Sequence, residues 1–97
     1  MDNRIYEYLR MLKFNDNEIT LLIEICPTLL ETSAEEASKN IDALVYFGYP
    51  VEDITYIISQ NPAVLTRNFN DLMEDLQKIQ QDFGDIEEAL KNNPNLI

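Results

Sequence analysis

The chain has 97 residues, 45% of them hydrophobic, and its 18 acids against 7 bases give a formal net charge of −11. That apolar content supplies one modest core and is too high for disorder, while the charge repels phosphate backbones and anionic membranes. With no His and a single Cys, the commonest general base, an imidazole-activated nucleophile, a zinc cluster and an internal disulfide are all excluded, so no enzyme, metal or cofactor is expected.

Residues 3–13 read as a first helix, with Ile5, Leu9 and Leu12 on one face. Asn15 and Glu18 form a capping-box pattern that opens a second helix over 16–26. Its stripe is Ile19, Leu22, Ile23 and Cys26, and Leu21 with Ile25 carries the apolar surface round to a second face, which predicts packing on more than one side. Pro27 ends this helix, because the residue before a proline is pushed out of the α region. A single 3₁₀ turn is expected at Thr28-Leu29-Leu30, with both leucines plugging the base of the hairpin, and Cys26 as a buried structural thiol.

Thr32 and Ser33, with Glu35 and Glu36 three residues after each, predict a third helix from Ala34 to Phe47, with Ala37, Ile41, Leu44 and Val45 inward and Gly48 as its stop. Pro50 suits the first turn of a fourth helix whose N-terminal half carries Glu52 and Asp53, with Ile54, Ile57 and Ile58 as its stripe. Asn61-Pro62 closes it. A fifth helix, capped by Asn68 or Asn70, runs to Phe83 with Leu72, Leu76, Ile79 and Phe83 inward, and Gly84 stops it. Asp85 with Glu88 opens a short sixth helix that Pro94 ends.

These elements repeat. Residues 9–30 align with 44–65 at a 35-residue offset without a gap, placing Leu9 on Leu44, Phe14 on Tyr49, Ile19 on Ile54, Ile23 on Ile58, Pro27 on Pro62 and Leu30 on Leu65. A third copy keeps the spacing of Ile86, Leu90, Pro94 and Ile97. The expected fold is all-α: about six short helices in two and a half helical hairpins, each closed by a proline-led 3₁₀ turn, forming a small α-solenoid or compact bundle. One domain spans 1–97, with repeats at roughly 5–30, 34–65 and 70–97.

The segments Phe47-Gly48-Tyr49, Ile54, Ile58 and Asn61-Pro62-Ala63-Val64-Leu65 resemble the repeat of the mitochondrial transcription termination factor (mTERF) family. So do Phe14, Ile19, Ile23 and Cys26-Pro27-Thr28-Leu29-Leu30, and later Asn93-Pro94-Asn95-Leu96-Ile97. The resemblance covers nearly the whole chain. It implies a curved solenoid of helical hairpins, and nucleic-acid binding through a basic concave groove. This chain departs from the second implication: Arg4, Arg10, Lys13, Lys39, Arg67, Lys78 and Lys91 are its only bases, and they are scattered.

The resulting expectation is a non-enzymatic protein-interaction module, a small acidic adaptor or inhibitor, whose partner is another protein with a basic surface. The candidate contacts are the aromatics Tyr46, Tyr49 and Tyr56 near the central turn and the acids Glu35, Glu36, Asp71 and Asp75. Acids in first helical turns also complement the helix dipole, a structural role that accounts for many of them. The alternatives are nucleic-acid binding by family analogy and mimicry of nucleic acid, with the acids occupying a partner's basic groove. MDNRIYEYLR lacks the apolar core of a signal peptide, and no apolar run approaches the roughly 20 residues of a membrane span, so a soluble cytoplasmic protein is expected.

Overall fold

The computed structural model describes residues 4–97; Asn3, the expected start of the first helix, lies outside them. Six α-helices follow in order: α1 (Arg4–Met11), α2 (Asp16–Ile25), α3 (Ala34–Tyr46), α4 (Ile54–Gln60), α5 (Phe69–Phe83) and α6 (Ile86–Asn92). Proline-led 3₁₀ turns at Pro27–Glu31, Pro62–Thr66 and Pro94–Leu96 close each helix pair, and a further 3₁₀ turn at Val51–Asp53 precedes α4. No strand occurs among the described residues.

The helix starts follow from local chemistry. At α2 the full capping box forms: Glu18 N–H donates to Asn15 Oδ1 and Asn15 N–H to Glu18 Oε1, both at 2.8 Å. Ser33 rather than Thr32 caps α3, accepting from Glu36 N–H at 3.0 Å, while the Thr32 hydroxyl donates back to Thr28 O. Asn68, not Asn70, caps α5, and Asp85 caps α6. The start of α4 differs from expectation. Pro50 is extended (ψ 137°) and Asp53 N–H donates to Pro50 O at 3.0 Å, so Glu52 and Asp53 lie on the tight turn before the helix, not in its N-terminal half.

Two helix ends share one device. Lys13 N–H donates to Arg10 O and Phe14 N–H to Leu9 O; Gly48 N–H donates to Val45 O and Tyr49 N–H to Leu44 O. This crossed pair of bonds is the Schellman motif, and it needs a left-handed residue. Gly48 supplies it at φ 100°, but in the first unit the place falls to Lys13, at φ 79°. A side chain there is strained. Lys13→Gly is therefore expected to stabilise the fold by about 1 kcal/mol, read as a raised urea midpoint at unchanged slope; a lowered midpoint would contradict the strain.

The core runs the length of the molecule, whose extents are 39 × 23 × 20 Å. Its centre is α3, which packs on α1, on α5 and on the Pro62 turn. Leu9, Ile19, Leu44, Ile58, Leu72 and Leu90 are fully buried in it. Two asparagines tie distant backbone together. Asn40 Nδ2, buried on α3, donates to Val64 O at 2.9 Å and Arg67 O at 2.8 Å. Asn61 Nδ2 donates to Pro94 O at 3.1 Å, joining the end of α4 to the last closing turn. Cys26 holds the place of Asn61 in the first unit; it is half-buried, not fully buried as expected, and a thiol is a weak donor.

Sidedness departs from expectation at several positions. Leu21 and Ile25 are exposed: the main contacts of α2 are with α1 and with its own closing turn. Leu29 alone plugs the first hairpin and Leu30 faces out, whereas Val64 and Leu65 are both buried in the second. Phe83, at the end of α5, lies beside Glu88 and Asn92 on the outer side of α6 and is exposed. Val45 is also largely outside the core.

A candidate docking groove

An open, mainly apolar groove of about 540 Å³ lies between the end of α1, the C-terminal half of α3 and the turn that leads into α4. Ile41 and Ile54 are buried and form its floor; Met11, Val45 and Val51 stand along it, 73%, 39% and 67% exposed. Each of these three is placed by backbone already described. Met11 ends α1 just before the left-handed Lys13. Val45 is one turn beyond Ile41 on α3. Val51 is turned outward because Pro50 is extended and the helix starts only at Ile54. Asp42 and Glu52 add two carboxylates to the lining and Lys13 one ammonium. Apolar side chains left this far in water are costly to hydrate and favour a covering partner.

The residues singled out from sequence fall elsewhere, and none of the seven lines the groove. Tyr46 is the most exposed of them, at 77%, with its ring edge-on to Phe47 at 5.3 Å between centroids. Tyr56 is partly exposed. Glu35 faces Lys39 at 3.9 Å, and Glu36 completes the cap with Ser33. Asp71 offers its N–H to the Asn68 cap, and Asp75 pairs with Arg67, whose other nitrogen donates to Ile97 O.

Tyr49 is a correction: it is buried at 1% exposure and presents nothing to a partner. It fills the place that Phe14, also buried, fills in the first unit. Its hydroxyl finds no hydrogen-bond partner among the described residues. Burial, and next the Asp53 carboxylate, push its phenol up from 10.0 to about 12. Because the fold holds this acid neutral, its contribution to stability is complete below pH 10.0 and is lost as pH rises towards about 12. Tyr49→Phe removes an unsatisfied hydroxyl and is expected to stabilise the fold by about 1 kcal/mol near neutrality and to blunt the alkaline loss. Denaturant melts at pH 7 and 11 check both, and a destabilised Phe variant would mean the hydroxyl has a partner.

Much of the positive charge is locally neutralised. Arg10 pairs with Asp16 at 3.0 Å, Lys39 with Glu35 and Arg67 with Asp75. Lys91 bridges Asp53 at 3.2 Å and Glu87 at 2.9 Å, and these two carboxylates hold its ammonium well above the usual lysine range. Among the described residues no group of His, Cys, Asp and Glu has the arrangement of a metal site, and no helix is long and apolar enough to cross a membrane.

Against known proteins, the mTERF family model matches residues 3–96. The chain belongs to the mTERF family. The repeat seen as a 35-residue offset is thus the mTERF repeat, and the helix–helix–turn unit is its structural form here. No curated protein and no solved structure matches. Within this mTERF chain, Met11 and Val51 are the groove residues that a search for inward stripes passes over. Their signal was available: each is a large apolar residue off the inward face of its segment.

Proposed function

We propose that this mTERF chain is a non-enzymatic protein-interaction module, a small acidic adaptor or inhibitor, and that the groove beside α3 is where its partner sits. The observation that carries the reading is the exposure of Met11, Val45 and Val51 around one apolar groove. Aromatic Tyr46 and Tyr56 are proposed as flanking contacts, and Glu35, Glu36, Asp71 and Asp75 as part of an acidic exterior that suits a basic partner. The chain is taken as one domain of three units, and its lone thiol fits a reducing compartment such as the cytoplasm.

A second reading, nucleic-acid binding, is favoured by family membership. Counterion release requires clustered, available bases, and at least four of the seven here are held by carboxylates within a net charge of −11. Both readings are separated by affinity capture from lysates of the source cells with and without nuclease treatment, using the wild-type chain and a Val45→Asp/Val51→Asp variant. Both positions are exposed, so the variant is expected to keep its circular dichroism and melting point. A protein retained by the wild type and lost from the variant supports the module. Retention that vanishes with nuclease supports nucleic acid, and equal retention by both chains removes the groove.

A further inference from the structure

We infer that the occupant of the groove is a basic amphipathic helix of another protein, an inference that rests on the interaction-module reading above. Two features of the groove select a helix. One wall is a helical row of α3, where Val45 lies one turn beyond the buried Ile41, and Val51 on the tight turn before α4 faces it across the buried Ile54. A trough along such a row accepts the side-chain ridge of an incoming helix. Addition of a strand is not open to this surface, since no strand and so no sheet edge occurs among the described residues.

Charge selects which helix. Asp42 is interleaved with the apolar row of α3 and Glu52 follows Val51 directly, so apolar anchors seated on Val45 and Val51 bring the flanking residues of the incoming helix against carboxylates. Lysine or arginine there gains attraction, within a chain that carries −11 overall. The same charge argues against a second copy, which would set −11 against −11 and like carboxylates against each other, and against an anionic membrane. Lys13, the one base on the lining, is placed to receive the carbonyl end of the helix or a single acid.

The test uses two synthetic peptides of about 18 residues, long enough to form a helix on binding. Both carry leucine at i, i+3, i+4 and i+7; one has Lys and Arg on its polar face, the other Glu. Calorimetric titration into the wild-type chain is expected to show the basic peptide binding at least tenfold more tightly. Asp42→Lys/Glu52→Lys is expected to weaken it roughly tenfold, from two partly exposed ion pairs. Val51→Asp is the decisive control: it adds negative charge and so preserves any unspecific attraction of a polycation, yet it is expected to abolish binding. Equal affinity for both peptides, binding that survives Val51→Asp, or no binding at all overturns the inference. A dimer in sedimentation that Val51→Asp dissolves also overturns it, in favour of a second copy. Groove-dependent protein capture without peptide discrimination would remove the helix alone, whereas loss of groove-dependent capture would remove the module reading beneath it.

Discussion

Replacing Leu44 with Ala is expected to lower the unfolding free energy by about 3 kcal/mol, within the range for a buried leucine that leaves a cavity. Leu44 is fully buried on α3, the helix that meets α1, α5 and the Pro62 turn, so no single neighbour can collapse into the space. Its carbonyl also accepts from Tyr49 N–H at 2.9 Å in the Schellman turn, which holds the surrounding backbone in place. For a domain of this size, with a total stability of about 5–15 kcal/mol, such a loss moves the denaturant midpoint far enough to measure readily. The adjacent Val45→Ala is the internal control, expected to cost under about 0.5 kcal/mol because that side chain faces the groove. Comparable losses at both positions would mean that α3 does not present one face to the core and one to the groove.

Asn40→Ala is expected to cost about 2–3 kcal/mol, the penalty for leaving two backbone carbonyls without their donor in a site where water is scarce. The side chain is 1% exposed and its amide reaches Val64 O and Arg67 O across the closing turn of its own unit. Asn40→Asp is expected to do no better, since a carboxylate cannot donate. The third unit shows what an acid needs at this place. Asp75 stands on α5 directly before the buried Leu76, as Asn40 stands on α3 directly before the buried Ile41, and there Arg67 intervenes, pairing with Asp75 and donating to Ile97 O at 2.8 Å. No such arginine bridges Asn40, so urea melts of Asn40→Ala and Asn40→Asp should fall together, well below wild type; an Asp variant near wild type would overturn the role given to the amide.

What could be read from the amino-acid order follows the range of the interactions. The capping residues Asn15, Ser33 and Asp85 act within three residues, and each is found where its spacing puts it. The alignment of Pro27 with Pro62 foretold a closing turn of the same kind at each, because proline acts on the residue beside it. Asn40 was not legible in this way: its acceptors are 24 and 27 residues further on, and an asparagine inside a helix looks like any other solvated residue. Leu21, Ile25 and Val45 fail for a related reason. Periodicity says that a face is apolar, but only the arrangement of neighbouring helices decides whether that face is covered. Tyr49 lies beside a turn, which suggests exposure, yet it is buried like Phe14, the residue it aligns with. The groove unites Met11, Val45 and Val51 from three elements, and no single window of sequence contains it.

Site-specific photocrosslinking in a nuclease-treated lysate puts the groove to the most direct test, with a photoreactive residue replacing Val51 in one preparation and Gln81, exposed on α5, in the other. A protein partner seated beside α3 is captured from position 51 and not from position 81. Adducts from position 81 alone, or adducts from position 51 that prove to be nucleic acid in an untreated lysate and disappear with nuclease, would contradict it.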